Sequence, residues 1–341
     1  MALSIIVTIF AFGVMVILHE LGHFVTAKKF GVTVHEFSIG MGPCIFKWGK
    51  GETQYSLRLL PLGGYVKLEG EDEESDNPRA FSNISPIKRI VILVMGAVMN
   101  ILLGFLCFVV INNIGGYVYT NSIGGFTETS KVAEAGLRVG DEIVKLNNTN
   151  VDTYADIKLF MMSAPENIDV EYIRNGEKHT VNIIPEKVRG GALLGFSPDI
   201  KKLSFIETFE QSYYDTRFVV KAVFASIKML FTGEAKVSDM SGPVGIVQVV
   251  DDTTEQSKAY GGINVFLNLL NLFAMISVNL GVFNLLPFPA LDGGSIIFAA
   301  IELVTRKKLK QEVLGYINLI GLALILGLGI FVMYSDITKL F

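Results

Sequence analysis

The sequence predicts a membrane α-helical fold with four transmembrane helices, a membrane-associated β-hairpin and one separate α+β domain. Half of the 341 residues are hydrophobic and only 18% are charged, a composition typical of membrane proteins. Long apolar stretches recur along the chain, and a helix needs about 20 such residues to cross a bilayer. The polar segments between these stretches supply the hairpin and the α+β domain.

Four apolar stretches are predicted to cross the membrane. The first, residues 1–27, has no Lys or Arg before it, so we interpret it as a retained span and not as a signal peptide. The second covers residues 90–111. The third covers 262–292 and includes a motif at its end, and the fourth covers 314–335.

Basic residues in two of the connecting segments predict the orientation. Residues 28–89 and the short link before the fourth span, with its "RKKLK" at 306–310, are rich in Lys and Arg. By the positive-inside rule both are cytoplasmic, which places both termini and residues 112–261 outside. Within the linker 201–261, basic residues interrupt "RFVVKAVFASIKMLF" (217–231), which indicates an amphipathic helix and not a fifth span.

The cytoplasmic segment contains a predicted β-hairpin. Residues 53–68, "TQYSLRLLPLGGYVKL", alternate in polarity around Gly63-Gly64. Six acidic residues follow in "EGEDEESDNP" (69–78), which predicts a solvated loop.

Residues 114–200 read as a small α+β domain. We expect a helix at 153–163 and strands near 168–174 and 179–184. The stretch "GLRVGDEIVKLN" resembles the PDZ family, which binds extended peptides at a sheet edge. "LLGF" at 193–196 resembles the carboxylate-binding loop of that family but follows the strands. Either the domain is circularly permuted, or the match is accidental and the loop lies near Gly124-Gly125; a β-rich domain without a ligand is the other alternative.

The end of the first span carries "HELGH" at residues 19–23. His19 and His23 are four residues apart, so on a helix they share one face, with Glu20 beside the first. Two neutral imidazoles can bind Zn²⁺, and a third ligand leaves a position open for water. Helix-end residues that reach toward the interface are the alternative, but ionisable groups inside a membrane are costly unless they are paired or metal-bound.

Asp292, in "NLLPFPALDGG" (284–294), is the candidate third ligand. Pro287 and Pro289 break the third span, and Gly293-Gly294 allow the chain to turn, so the carboxylate can point back into the bundle. A turn at a helix end, with no role in metal binding, is the alternative for this residue.

Together, "HELGH" and "NLLPFPALDG" resemble the site-2 protease family of intramembrane zinc metalloproteases. "PLGGYVKL" (61–68) and "SGPVGI" (241–246) also look like segments of its bacterial members, whereas "GAVMN" (96–100) lacks the Gly-Pro that the family commonly has before Asn100. The resemblance implies His19, His23 and Asp292 as zinc ligands, and Glu20 as general base and acid. It also implies a multi-pass protein of the bacterial cytoplasmic membrane, with the active site toward the cytoplasmic leaflet.

Substrates of such an enzyme are transmembrane segments of single-pass proteins, such as anti-sigma factors, or remnant signal peptides, cut in regulated intramembrane proteolysis. A helical substrate must unwind before cleavage, and an edge strand in 53–68, with Gly63, Gly64 and Tyr65, could pair with it. The resemblance suggests that Asn279 and Asn284 bind its backbone, and hydrogen bonding between helices explains them equally well. The PDZ-like domain is then a size filter, or a docking site for a peptide or carboxyl terminus.

Other classes of function fit less well. A membrane adaptor with a structural metal site does not need Glu20, and a transporter is disfavoured because four spans show no inverted repeat. The net charge of −4, without a basic aromatic patch, gives no sign of a nucleic-acid partner. Cys44 and Cys107 form neither a disulfide framework nor a cysteine zinc site.

Overall fold

The computed structural model describes residues 2–71, 73–163, 165–188, 191–237 and 240–339. The helices are α1 (Ala2–Lys29), α2 (Pro86–Gly115), α3 (Lys131–Glu134), α4 (Tyr154–Met161), α5 (Phe205–Thr232), α6 (Pro243–Lys258), α7 (Gly262–Asn284), α8 (Asp292–Thr305) and α9 (Gln311–Thr338). The strands are β1 (Val34–Trp48), β2 (Gln54–Leu68), β3 (Tyr117–Phe126), β4 (Glu142–Leu146), β5 (Thr149–Asn150), β6 (Ile168–Arg174), β7 (Glu177–Ile183), β8 (Glu186–Val188), β9 (Gly191–Leu193) and β10 (Phe196–Lys202).

The chain forms two compact units, one of residues 1–107 with 223–341 and the other of residues 108–222. Among the described residues, four helices are long and apolar enough to cross a membrane, as the sequence predicts: α1, α2, α7 and α9. All four lie wholly or mainly in the first unit, which is therefore the helical membrane part of the protein.

Glycines allow the helices of the first unit to pack closely. A Cβ on Gly22 of α1 would lie 2.3 Å from the Met95 carbonyl oxygen of α2, and one on Gly281 of α7 would lie 2.8 Å from the Ala97 carbonyl oxygen. Such distances are too short for any side chain. Small residues at these crossings bring backbones together, which is how helices associate where lipid removes the hydrophobic driving force.

The prediction that residues 53–68 fold back on themselves as a β-hairpin is wrong. The whole stretch is the strand β2, and its partner is β1, which the sequence analysis did not assign. Both strands bend, so that 36–39 of β1 lie between 54–57 and 64–67 of β2. Gly40 and Gly63 adopt positive φ angles of 85° and 88° at the bends. Glycine tolerates that backbone conformation and other residues do so rarely, so these two glycines bend strands and do not form a hairpin turn.

One end of this sheet exposes large apolar side chains. The Trp48 ring stacks against both Phe46 and Tyr55, and Phe46 is 60% exposed. Ile45 and Leu59 add to the surface with exposures of 61% and 57%. An apolar patch that carries Trp and Tyr is typical of a segment that contacts the membrane interface.

The link predicted between the third and fourth spans contains the helix α8. Its 14 residues are mostly apolar, but they are fewer than a membrane-crossing helix needs. The predicted third span, 262–292, ends earlier, at Asn284 of α7. The segment 285–291 separates the two helices, so Asp292 begins α8 and does not end α7.

The second unit contains a sheet in the order β10-β3-β4-β6-β7, with β5 paired to β4. Its core is formed by apolar residues that include Ile123, Ile143 and Ile168. The helix predicted over 153–163 is α4, capped by Thr153 and Asp156 in a capping box. Gly124 and Gly125 lie in β3, just before its last residue, Phe126.

The first part of α5 is held to this domain by ion pairs. Arg217 contacts Asp152 at 2.7 Å, and Lys221 contacts Asp152 and Asp156 at 3.1 and 2.7 Å. Two of the three basic residues that interrupt the apolar pattern of 217–231, Arg217 and Lys221, thus have acidic partners in the second unit. The helix is not among the four that could cross a membrane in the described part of the chain.

Asp141 is the buried polar centre of the second unit. It is 2% exposed, and Arg174 donates to its carboxylate from Nε at 2.8 Å and from Nη2 at 2.6 Å. Burial alone would raise its pKa, but the hydrogen bonds from Arg174 and from the Arg138 backbone N–H hold the pKa of Asp141 below its ordinary value.

We therefore expect Asp141→Asn to lower the free energy of opening of this domain by about 3 kcal/mol, because it leaves a partly buried guanidinium without its counter-ion. Hydrogen exchange of the β4 and β6 amides in the full-length protein measures this. Because the folded-state pKa is depressed, the stabilisation is complete above the unfolded-state pKa of about 3.9 and is lost as pH falls through the lower folded-state pKa.

The exposed pair of Lys178 and Glu171 supplies the control. Lys178 is 70% exposed, so Glu171→Gln should change the opening free energy by less than about 1 kcal/mol. Equal effects of the two variants would contradict the importance of the buried pair.

Candidate metal centre

The two sequence motifs meet inside the first unit. His19 and His23 lie one turn apart on α1 and are each 8% exposed. The Asp292 side chain, at the first residue of α8, is 18% exposed. One ligand atom from each of the three residues lies within 4.8 Å of the other two, and the residues form the candidate metal group of the described chain.

The spacing of these atoms suits a tetrahedral zinc ion. Nε2 of His19 lies 3.1 Å from Oδ2 of Asp292 and 3.1 Å from Nε2 of His23, and the third distance, His23 Nε2 to Asp292 Oδ2, is 3.5 Å. Ligands held at about 2.0–2.1 Å around a tetrahedral ion are about 3.3–3.4 Å apart. The three atoms therefore surround a point that one zinc ion fits.

The protonation of His23 is set by a backbone carbonyl. Its Nδ1 lies 2.9 Å from the Ile92 carbonyl oxygen of α2, which can only accept, so Nδ1 carries the proton and Nε2 keeps its lone pair. Asp292 Oδ2 is buried and has no hydrogen-bond donor among the described residues. Lone pairs on His23 and Asp292 thus face each other, and a cation between them removes the repulsion.

Asn100 of α2 sets the orientation of His19. It is fully buried, its amide lies 3.4 Å from His19 Nδ1, and its Oδ1 has no donor among the described residues. With the amide turned so that Oδ1 faces the ring, Nδ1–H donates to it and Nε2 is free to bind metal. Asn284, at the end of α7, places its amide 3.5 Å from the same ring atom.

Gly96 makes room for both imidazoles. A Cβ at this position would lie 2.4 Å from His23 Nε2 and 2.8 Å from His19 Cε1. Gly96 and Asn100, the first and last residues of "GAVMN", therefore both belong to the site, which we did not predict from the sequence. Their spacing of four residues on a helix was the signal that could have found them.

Glu20 lies on the side of α1 that faces the β1–β2 sheet. The backbone N–H of Val66 lies near its carboxylate, and a Cβ on Gly64 would lie 3.6 Å from Glu20 Cγ. Residues 64–67 pair with β1 on one side only, so β2 presents an edge strand next to Glu20. The structure thus brings Glu20, Gly64 and Val66 together.

The remaining predicted residues lie farther from the ligands or face elsewhere. Gly63 forms the bend of β2, and the Tyr65 hydroxyl accepts a 2.5 Å hydrogen bond from Arg58. Asn279 is half-buried in α7, and no contact to the three candidate ligands is found for it in the described residues.

A cavity of about 540 Å³ borders Asp292 on the side of α8 and α9. Its lining includes Ser295, Gln311 and Asn318, whose polar side chains can bind water. The candidate ligands therefore have polar space on this side, although the helices around them are apolar.

The fold and the candidate site are those of a membrane metallopeptidase, and comparison with known proteins assigns the chain to the same class. The model of peptidase family M50 matches residues 7–328, so the chain belongs to this family. A relative from Clostridium acetobutylicum, named as a candidate zinc metalloprotease, is 40% identical over 98% of this chain and 97% of its own. Zinc metalloprotease RasP of Geobacillus kaustophilus is 29% identical over 99% of this chain and 98% of its own. The protein is a zinc metalloprotease of the M50 family.

We expect Asn100→Leu to weaken zinc binding about 10- to 100-fold, because His19 loses the partner that fixes its tautomer. Competition with a chelator measures the affinity, and an apolar residue at this position keeps the helix crossing filled. The matched control is Asn271→Leu, since Asn271 is an exposed residue of α7. Unchanged zinc affinity in Asn100→Leu would show that Asn100 does not act through His19.

Proposed function

We propose that this protein is an intramembrane zinc metalloendopeptidase that cleaves transmembrane segments of single-pass membrane proteins or remnant signal peptides. The observation that carries the proposal is the position of the candidate ligands. His19 and His23 belong to a helix apolar enough to cross a membrane, and Asn100 and Gly96 beside them belong to another. Peptide bonds that reach this site are inside the membrane part of the protein.

In this proposal His19, His23 and Asp292 hold zinc, and Glu20 is the catalytic base and acid. When bound, zinc supplies Lewis-acid polarisation of the scissile carbonyl and of the attacking water. Glu20 takes the proton from that water and passes it to the leaving amine. In this proposal the nearby Val66 N–H orients the Glu20 carboxylate before substrate arrives.

The edge of β2 is the proposed binding strand for the unwound substrate. A helix hides its backbone groups, so the segment to be cut must become extended, and pairing with an edge strand replaces its lost hydrogen bonds. Gly64 keeps the edge next to Glu20 free of a side chain, and Gly63 and Tyr65 flank it. This arrangement supports binding of substrate backbone within reach of the general base.

Asn279 and Asn284 have separate proposed roles. Asn284 lies beside His19, which supports a role in orienting the ring as well as in binding substrate. For Asn279 we propose a hydrogen bond to the substrate backbone, with bonding between helices as the alternative.

We propose that residues 114–200 form a circularly permuted PDZ-like domain. "LLGF" leads directly into β10, the edge strand of the sheet, and a cavity of about 440 Å³ lies between residues 191–196 and α4. A peptide or carboxyl terminus could occupy this cavity, and the domain could also act as a size filter. Its proposed location is outside the membrane.

The proposed location is the cytoplasmic membrane of a bacterium, with both termini outside and the active site toward the cytoplasmic leaflet. The basic segments 28–89 and 306–310 support this orientation. Anti-sigma factors are proposed substrates because the family resemblance suggests them.

Glu20→Gln should abolish cleavage of a single-pass model substrate, because the amide cannot accept the proton of the attacking water. The measurement uses purified, zinc-loaded protein in liposomes, with product analysed by mass spectrometry and bound zinc determined in the same samples. We expect at least about a 10³-fold loss of rate with normal zinc content, as for other groups that act only in the transition state.

Glu52→Gln is the control, since Glu52 pairs with Lys28 and Arg79 on the exposed surface. Cleavage by Glu20→Gln at the rate of the unchanged protein would remove Glu20 from the mechanism. Loss of cleavage together with loss of zinc would leave the assignment of Glu20 as the base without support.

Val66→Pro should abolish cleavage while zinc remains bound, because proline removes the N–H that orients Glu20 and breaks the pairing edge. Val66→Ile keeps the N–H and the apolar contact with the neighbouring core, so it should cleave within about twofold of the unchanged protein. Full activity of Val66→Pro would contradict the binding of substrate at this edge.

A further inference from the structure

A basic cavity of about 410 Å³ lies where α2 begins and α8 ends. Its lining residues come from the segment before α2, from α2 itself, from the end of α8 and from the link after α8. The charged residues of the lining are Arg89, Glu302, Arg306, Lys307 and Lys308. Four of these residues are basic and one is acidic, so the cavity carries a net positive charge.

The one acidic group is already neutralised. Glu302 is 6% exposed, forms an ion pair with Arg89, and accepts a 2.9 Å hydrogen bond from the Leu309 backbone N–H. The charges of Arg306, Lys307 and Lys308 therefore remain without a counter-ion among the described lining residues. The Lys308 ammonium donates to the neutral Asn83 side-chain oxygen at 2.8 Å.

A buried donor of the same cavity has no acceptor. The Arg89 side chain is only 10% exposed, and its Nε has no hydrogen-bond partner among the described residues. A buried guanidinium nitrogen without an acceptor is costly. The N-terminus of α2 at Pro86 adds positive partial charge to the same wall. These features call for an anion with several acceptor oxygens.

We infer that this cavity binds the phosphate group of an anionic phospholipid. Arginine donors fit phosphate oxygens well, and basic pockets between transmembrane helices are sites for anionic headgroups. The cavity is formed at the ends of apolar helices: α2, which is apolar and long enough to cross a membrane, begins at Pro86 in its lining, and α8 contributes Leu303 close to its last residue. The cavity thus belongs at the depth of lipid headgroups.

Exposed apolar side chains beside the cavity favour a lipid over free phosphate. Leu303 lines the cavity and is 42% exposed, and Val304 and Ile301 of the same helix are 82% and 41% exposed. Acyl chains can cover these residues while the headgroup phosphate occupies the basic cavity. Soluble phosphate would leave them uncovered.

The test titrates the full-length protein in maltoside micelles with phosphatidylglycerol, phosphatidylcholine or inorganic phosphate. Bound lipid is counted by native mass spectrometry, and the midpoint of thermal unfolding is followed in parallel. We expect phosphatidylglycerol to bind and to raise the midpoint. Phosphatidylcholine, which has no net charge, should do so only at about tenfold or higher concentration.

Arg306→Asn combined with Lys307→Gln should weaken phosphatidylglycerol binding about tenfold or more, because two unpaired charges are removed. Asparagine suits position 306, where φ is 55°. The matched control, Lys50→Gln with Lys310→Gln, removes two exposed lysines that do not line the cavity, and it should change binding by less than about twofold.

Three results would overturn the inference. Equal affinity for the two lipids would show that charge does not select the ligand. Equal weakening of phosphatidylglycerol binding by the two double variants would show that the net charge of the protein, and not this cavity, determines lipid binding. Saturable stabilisation by inorganic phosphate at concentrations where phosphatidylglycerol does not bind would make the cavity a site for soluble anions.

Discussion

The central constraint in this molecule is the convergence of three electron-pair donors in an apolar bundle. In the neutral tautomer that the Ile92 carbonyl selects, Nε2 of His23 has no proton, and it faces a carboxylate oxygen of Asp292 that has no donor among the described residues. Where the dielectric constant is low, such an arrangement is strongly unfavourable without a cation. Zinc, the metal of the family, would satisfy all three donors at once.

Close helix packing is the condition for that convergence. The imidazoles need the volume that a Cβ on Gly96 would occupy, and α1 and α2 approach at Gly22. Next to the candidate ligand Asp292, a Cβ on Gly293 would lie 2.0 Å from the Leu286 carbonyl oxygen. Only glycine therefore allows the tight turn that positions Asp292. The glycines therefore position the ligands without contributing a polar atom to the site.

The sequence was sufficient to predict the candidate ligands because each of the two motifs that carry them is a local pattern. Residues four apart on a helix share a face, and two prolines before Asp292 end the preceding helix. The partner of β2 was missed because it depends on bends at Gly40 and Gly63, which no alternating pattern reveals. The helix α8 was missed because its apolar run is too short to suggest a span, and the role of Asn100 depends on which way a buried amide turns.

The same centre has two different surroundings, which bears on how hydrolysis can occur among apolar helices. On one side, Glu20 lies beside the edge of β2, whose backbone groups suit an extended peptide. On the other, Asp292 borders a cavity with Ser295, Gln311 and Asn318, which suits water. In the proposed mechanism, the peptide therefore approaches along the β2 edge and water through this cavity. Keeping water away from the β2 edge favours substrate binding, because water bound there would compete with the substrate backbone for the hydrogen-bonding groups of the strand.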